Sequence, residues 1–494
     1  MWRRAILEAS PSNDRPALRT RTVGSCLQGK LKMTMPITLK RCTTEPAAPK
    51  FRVFNERQLD QIPALQKLDA ELLRDMQVVS QVLPFRVNQF VIDELIDWDN
   101  VPEDPIFQLT FPQRGMLSAE HYAQMSALLD GQPVAQEIRA QADEIRAELN
   151  PHPAGQQTLN VPLLDGAELT GIQHKYAETV LFFPSQGQVC HSYCTFCFRW
   201  AQFVGNKALR FAAAEAGELK RYLLAHPEVT DVLITGGDPL VMKTSNLKAY
   251  LEALLDPALE HIRSIRIGTK ALTYWPYRFV SDPDAGDLLR LFERVIANGK
   301  QLALMTHINH WRELTPPIVT KAVANLRSTG AVLRAQAPLL AHINDDPGVW
   351  SRLWQDEVSL GIYPYYMFVE RDTGAARYFE LPLVKAWEIY RAAISSVSGL
   401  ARTARGPSMS AGPGKVEIQG VAEVHGERVF VLRFLQGRNP AWVQQPFFAA
   451  YDEEATWLDQ LRPAFGAERF FFEQEYAAMQ VGADENAGAV PDDR

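Results

Sequence analysis

Cysteine is scarce in this chain. There are five among 494 residues, too few for a disulfide framework and in keeping with a reducing compartment. Long hydrophobic runs are missing as well: no apolar stretch reaches the roughly 20 residues that a bilayer-spanning helix needs, so a helical membrane protein is excluded. There is no excess of positive charge either. The formal net charge is −7, and no global basic field argues for nucleic acid. What remains is an ordinary globular composition, 46% hydrophobic and 22% charged. The length suits about three domains. These features predict a cytoplasmic protein whose partners are small molecules, with neither nucleic acid nor membrane among them.

The first 41 residues differ from the rest, with nine Lys or Arg against two acids and no sustained amphipathic periodicity. An Arg-rich, acid-poor stretch fits a transit peptide. A disordered extension ahead of Met33 or Met35 fits too, and residues 1–50 are read as that extension. Residues 51–160 read as a helical region, with apolar residues at helical spacing over 58–82, 118–129 and 135–149. The run Asn150-Pro-His-Pro-Ala-Gly155 marks its boundary. From 161 to 400, short apolar or β-branched runs at 179–183, 231–235, 264–268, 301–306, 332–335 and 362–368 alternate with helical segments. Six strands alternating with helices predict an α/β fold with parallel pairing, closing as a full or partial (β/α) barrel. Residues 401–480 read as a smaller α+β region, with a hairpin at His425-Gly426 and a helix near 453–461. Residues 481–494 read as a disordered acidic tail. No internal repeat is present.

Three of the five cysteines lie in one eight-residue stretch, Cys190-His-Ser-Tyr-Cys194-Thr-Phe-Cys197, a few residues after the first predicted strand. Chemistry in such barrels sits at the C-terminal ends of strands. Structural zinc and electron-carrying clusters want four protein ligands, and Cys26 and Cys42 lie in the basic N-terminal stretch. A zinc knuckle completed by His191, or three unrelated buried thiols, also fits the residues alone. The C-x3-C-x2-C spacing resembles the signature of the radical S-adenosylmethionine (SAM) enzymes. That resemblance implies a [4Fe–4S] cluster on Cys190, Cys194 and Cys197, with a fourth iron chelated by the amino and carboxylate groups of SAM.

Further along, Asp231-Val-Leu-Ile-Thr-Gly236-Gly237-Asp238-Pro239 is a strand running into adjacent glycines, which let backbone approach a ligand closely. A plain strand-to-helix turn explains it equally well. Placed one β/α unit after the cysteine loop, it is similar to the superfamily segment that binds the SAM amino group, and this implies a cofactor-binding role for Gly236, Gly237 and Asp238. Arg266-Ile-Gly-Thr-Lys270 and Met305-Thr-His307-Ile-Asn309-His310 also end predicted strands. Either can hold the ribose or carboxylate of SAM, and His307 serves equally as a cofactor contact or a structural hydrogen-bond partner.

Several colinear segments make a narrower likeness. His174-Lys-Tyr176, the cysteine loop through Phe203-Val-Gly205, Leu233-Ile-Thr-Gly-Gly-Asp-Pro-Leu240, Thr306-His-Ile-Asn-His310, His342-Ile-Asn-Asp345, Tyr363-Pro-Tyr-Tyr366 and the glycine-rich approach to Lys415 resemble lysine 2,3-aminomutase and its relatives over residues 90–440. The resemblance implies a partial (β/α)6 radical SAM barrel with a helical N-terminal region and a small C-terminal α+β region. It also implies a second cofactor, pyridoxal 5′-phosphate (PLP). Lys415, behind Ala411-Gly-Pro-Gly414, falls where the family's lysine forms the internal aldimine. Lys175 and Tyr176 fall where the family contacts the PLP phosphate, although one family arginine appears here as Thr179. Arg199 matches the arginine for the substrate carboxylate, a task its planar fork suits. The implied reaction starts with reductive cleavage of SAM to a 5′-deoxyadenosyl radical, which takes hydrogen from Cβ; the amino nitrogen then moves from Cα to Cβ. An electron donor such as flavodoxin or ferredoxin and a homo-oligomeric assembly are implied in the same way.

The chain departs from the family at the substrate. Of two aspartates that hold the ammonium of a lysine substrate, one matches Asp345. The other is missing from Arg405-Gly-Pro-Ser408-Met-Ser410, ahead of Lys415. The expectation is therefore an aminomutase for an α-amino acid other than lysine. Two other functions fit the sequence: a radical SAM enzyme of another reaction class without PLP, and an iron–sulfur electron-transfer or sensing protein.

Overall fold

The computed structural model describes residues 49–150, 160–205, 211–213 and 216–488, with backbone alone for 481–488. Most of the leader-like extension, Cys26, Cys42, residues 151–159 of the proline-rich boundary and residues 489–494 lie outside the described residues. The described residues form one compact unit.

Its center is an eleven-stranded sheet. The strands, in chain order, are β1 (Ile172–Tyr176), β2 (Thr179–Phe182), β3 (Asp231–Ile234), β4 (Ser264–Thr269), β5 (Gln301–His307), β6 (Val332–Leu339), β7 (Tyr363–Val369), β8 (Arg405–Ser410), β9 (Gly414–Val424), β10 (Glu427–Gly437) and β11 (Pro446–Ala450). They lie side by side in that order. From β2 to β8 every pairing is parallel; β1 and β9–β11 pair antiparallel. All six expected strands are present, and β8 adds a further parallel one. Helices Ala216–Ala225, Thr244–Leu254, Ala285–Ala297, Pro317–Ser328, Pro347–Leu360 and Leu383–Ser395 make the crossovers between successive parallel strands.

The crossover helices form because their apolar residues recur on one face. In Ala285–Ala297 the buried side chains are Leu288, Leu291, Phe292 and Val295, the i, i+3, i+4, i+7 stripe of a helix laid on a sheet. Each such burial contributes about 1.5–3 kcal/mol. Pro347–Leu360 is capped by Asp346, whose Oδ1 accepts Gly348 N at 2.7 Å, and stops at Gly361 with φ of 83°.

The N-terminal helical region is present as Ala70–Val82, Ala119–Asp130 and Ala135–Leu149, but Glu56–Gln61 and Leu65–Lys67 are 3-10 turns, with Pro63 between them. Its apolar core is not closed on itself. Phe196 and Trp200 of the cysteine loop, Tyr274 and Trp275 after β4, and Phe379 are buried in the same cluster as Phe107, Phe111 and Met125.

The expected hairpin turns at His425-Gly426, with φ of 52° and 80°, and β9–β11 continue the main sheet through β8. Two other expectations for the C-terminal part are corrected. Residues 453–461 are not a helix: only Leu458–Gln460 is 3-10, since Gln460 Oε1 takes Thr456 N and Asp452 Oδ1 takes Ala455 N in place of helical carbonyls. The terminal helix Glu473–Gly488 extends into the segment expected as a tail.

Candidate active site

The cysteine loop leaves the C-terminal end of β2 and is held from outside the sheet. Asn88 N–H donates to Ser192 Oγ (3.0 Å) and its amide to the carbonyls of Tyr274 (2.8 Å) and His191 (3.3 Å). Tyr193 N–H donates to Arg86 O and Thr195 N–H to Leu109 O. The helical region thus supplies the mold for the loop. Burial, then the charges of Asp238 and the neighboring thiols, pushes Cys190 well above the usual thiol range. Burial lifts Cys194 to about 11 and Cys197 to about 12. All three are free. Thiols that hold their protons this firmly ionize when a cationic center displaces them.

Among the described residues, no group of three or more His, Cys, Asp or Glu surrounds a single point as ligands of one metal ion would. A four-iron cluster takes each thiolate on a different iron, and three thiols on one loop fit that demand. His191 is neutral in character, its imidazole pushed down to about 3 by burial, and its ring lies edge-on to Phe51.

The glycine pair after β3 packs against this loop. A Cβ on Gly236, whose φ is 147°, would fall 2.3 Å from Gln188 Nε2, and one on Gly237 would fall 2.5 Å from Val189 N. Asp238 N–H donates to Val189 O at 2.9 Å. The Asp238 carboxylate, raised to about 6 by burial, accepts the Thr269 hydroxyl and the N–H groups of Leu240 and Lys270. Asp238 therefore ties the ends of β3 and β4 to the cysteine loop, and its oxygens are occupied by protein.

Lys270 extends the network to β5. Its Nζ donates to Glu313 Oε2 (2.7 Å), Asn309 Oδ1 (2.9 Å) and His307 O (3.2 Å), and Glu313 is fully buried. The His307 ring stacks on Phe196 of the cysteine loop at 5.7 Å, and burial pushes its imidazole down to about 3.

The second group gathers where β1, β7, β9 and β10 present their side chains. Lys415 Nζ donates to Gln436 Oε1 at 2.7 Å and lies 5.5 Å and 5.1 Å from the ring centers of Tyr176 and Tyr366. Burial, then the charges of Arg266 and Arg405, lowers its ammonium to about 7. The glycines before it serve close packing rather than looseness: a Cβ on Gly414 would fall 2.2 Å from Gln436 O. Lys175 Nζ donates to Ala411 O at 2.5 Å, which brings β1 beside that turn. Thr179 donates to Asp231 Oδ2 at 3.2 Å, and Asp231 also takes Arg266 Nε at 2.9 Å.

Arg199 lies between the two groups. Its guanidinium stands 4.3 Å from the center of the Phe183 ring, and burial lowers it to about 10. Among the described residues no carboxylate forms an ion pair with it. Asp345 is placed apart: it is exposed and accepts His342 N–H at 3.4 Å. Arg371, Arg438 and Gln436, all close to Lys175 or Lys415, were not legible as site residues; only Arg371 had a signal, lying just past the C-terminal end of β7.

A three-cysteine loop at the C-terminal ends of parallel strands, backed by a glycine pair on the next strand, defines an α/β enzyme of the radical SAM class. No family model matches the chain. It is 31% identical over 396 residues, 80% of this chain and 92% of the relative, to a protein of Aquifex aeolicus named "Putative L-lysine 2,3-aminomutase". The L-lysine 2,3-aminomutase of Fusobacterium nucleatum is 28% identical over 295 residues, 59% of this chain and 66% of that one. That of Escherichia coli is 31% identical over 233 residues, 46% and 63% of the two chains. The solved structure of Streptococcus suis SuiB bound to precursor peptide SuiA covers 55% of this chain and 56% of its own at 15% identity, with a TM-score of 0.33, a likeness too slight to bear on function. The chain belongs to the lysine 2,3-aminomutase family of radical SAM isomerases. The family's enzymes use a [4Fe–4S] cluster, SAM and PLP. Among the described residues no helix is long and apolar enough to cross a membrane.

Proposed function

We propose that this chain is a PLP-dependent radical SAM 2,3-aminomutase that moves the α-amino group of an amino acid other than lysine to Cβ. We read the parallel strands as a partial (β/α)6 barrel, with the cluster on Cys190, Cys194 and Cys197. The observation that carries the PLP reading is Lys415: a half-buried lysine lowered to about 7, facing two tyrosine rings and hydrogen-bonded to a neutral amide. An amine with that environment is a nucleophile at neutral pH, and a structural surface lysine has no need of it.

The bound cofactors would supply a carbon radical from SAM strong enough to break a Cβ–H bond, and a PLP ring that delocalizes the unpaired electron while nitrogen migrates. The chain's own residues do the rest. Gly236 and Gly237 leave backbone rather than side chains beside the cysteine loop. His307, neutral and stacked on Phe196, presents a flat uncharged wall. Lys415 gives up its proton near neutral pH beside Tyr176. Arg199, with no carboxylate partner among the described residues, would take the substrate carboxylate in a bidentate grip.

Two features support a substrate other than lysine. Ser408 lies in the segment where the resemblance calls for an acid; it is fully buried, and its hydroxyl has no hydrogen-bond partner among the described residues. Asp345, the remaining acid, is exposed. We further propose a low-potential carrier such as flavodoxin or ferredoxin as electron source, and a homo-oligomeric assembly.

The test is borohydride reduction of anaerobic protein incubated with PLP, followed by peptide mass spectrometry. The expected result is one pyridoxyl-modified lysine, Lys415. Turnover without PLP, or labeling spread over surface lysines, would replace this reading by a radical SAM enzyme of another reaction class.

A further inference from the structure

Tyr176 has cations about it, Lys175, Arg371 and Arg438. Lys175 Nζ stands 5.4 Å from the center of the Tyr176 ring and donates to a carbonyl, Ala411 O. Arg438 donates from Nε to Gly412 O at 3.0 Å and from Nη2 to Asn160 Oδ1 at 2.5 Å. Arg371 lies 5.0 Å from the center of the Phe198 ring, and its buried Nε has no partner in the described structure. Among the described residues no carboxylate forms an ion pair with any of the three. Glu370 and Asp372, which flank Arg371 in the chain, offset its charge electrostatically, and burial pushes the Glu370 carboxyl well up. The cations also repel one another. After burial, the charges of Arg438, Arg371 and Lys415 push Lys175 well below the usual lysine range. A half-buried cluster of like charges with a buried, unsatisfied N–H is costly unless an anion joins it.

The position of the cluster limits which anion. Lys175 and Lys415 stand over the same tyrosine ring, at 5.4 Å and 5.5 Å from its center. One small ligand can therefore offer a carbonyl to Lys415 and a dianion to the cations beyond the ring. The place where the family carries its second arginine is not available for this: Thr179 there is bonded to Asp231, and Arg266 is engaged by the same aspartate. We propose that Lys175, Arg371 and Arg438 form a phosphate-monoester subsite, in which Arg371 and Arg438 do the work of the arginine that Thr179 replaces. This rests on the reading of Lys415 as the PLP lysine. The two arginines come from the loop after β7 and the end of β10, far in sequence from Lys175, and guanidinium forks suit a phosphate better than an ammonium does.

The experiment compares PLP with pyridoxal, which has the same aldehyde and no phosphate. Both are titrated into full-length apo protein, with the absorbance of the lysine-bound chromophore as readout. Wild type should bind PLP far more tightly than pyridoxal, and inorganic phosphate should compete with PLP. Arg371→Gln and Arg438→Gln should each weaken PLP about 10- to 100-fold, the scale of one lost charge-assisted hydrogen-bonded contact, and leave pyridoxal unchanged. Arg438→Lys should recover part of the loss. An unchanged PLP-to-pyridoxal ratio in both glutamine variants overturns the subsite and leaves the PLP reading intact. If a variant does not fold, the wild-type competition decides: no effect of phosphate on PLP binding also overturns the subsite. A wild type that forms the chromophore with neither aldehyde overturns the PLP reading itself, and the subsite with it.

Discussion

Lys415 Nζ donates to Gln436 Oε1 across 2.7 Å, and the amide nitrogen of Gln436 donates onward to Glu178 Oε1 at 3.0 Å. The lysine's side-chain acceptor is thus a neutral amide whose orientation is fixed by a carboxylate one step removed. A direct carboxylate partner would raise the ammonium; this arrangement leaves burial and the charges of Arg266 and Arg405 to lower it to about 7.

A pH profile follows from that value. The fraction of Lys415 present as free amine should rise through pH 7, so the rate at which PLP labels it, trapped by borohydride, should rise with a midpoint near 7. An ordinary lysine would give a midpoint near about 10.4. The sign for stability is the same. The native pKa lies below the unfolded one, so the cost of burying this ammonium is present in full below pH 7 and fades as the pH rises toward the unfolded value. Lys415→Met should therefore raise the apo-protein's Tm more at pH 6 than at pH 9. A midpoint near 10 in the labeling profile would overturn the account.

The cysteines are expected to act as a set. Cys190→Ala, Cys194→Ala or Cys197→Ala should each lower iron and sulfide content after anaerobic reconstitution and abolish SAM cleavage, with little change in the far-ultraviolet circular dichroism. Replacing Cys26 or Cys42 should leave both cluster and cleavage intact. SAM cleavage at wild-type rate by the Cys194→Ala protein would sink the cluster assignment.

Gly237 offers a test of the contact between β3 and the cysteine loop. In Gly237→Ala the new Cβ would lie 2.5 Å from Val189 N and 2.8 Å from Gln188 C. Both are backbone atoms that cannot swing aside, so the loop must shift. Overpacking of this kind costs about 1–3 kcal/mol. The expected result is a Tm several degrees lower and a cluster lost more readily to chelator. Wild-type values for both would show that the loop is not held by this contact.

The six strands and their helices were legible because each is a local pattern, and the cysteine loop because its spacing is itself the signal. The continuity of β9–β11 with the main sheet was not, since nothing local in Gly414–Val424 says that its partner is Arg405–Ser410 across a tight turn. Nor was the loop's mold: Asn88 touches His191, Ser192 and Tyr274, residues about 100 to 190 positions away, and a lone asparagine after a short strand carries no pattern. Arg438 is the same kind of case. Its meaning comes from standing next to Lys175, a neighbor only in the folded chain. Glu313 shows the reverse: an acid in a polar-looking run, fully buried because Lys270, Thr273 and two backbone N–H groups converge on it.

The last expectation concerns substrate. A buried terminal ammonium needs carboxylates around it, and leaving it half-paired costs about 3–5 kcal/mol. Ser408 supplies a buried hydroxyl that lacks a partner among the described residues, and Asp345 stays exposed. A hydroxyl suits a neutral side chain with a hydrogen-bonding group, since pairing it removes a desolvation penalty at no charge cost. In an anaerobic assay across the common α-amino acids, with 5′-deoxyadenosine and β-amino acid read by mass spectrometry, such substrates should outpace lysine. Ser408→Asp should shift the ratio of kcat/KM toward lysine by about 100-fold, the scale of one restored buried charge pair. Lysine as the best substrate of the wild type would show that another acid, for which buried Glu370 is the nearest candidate in the loop after β7, replaces the missing one.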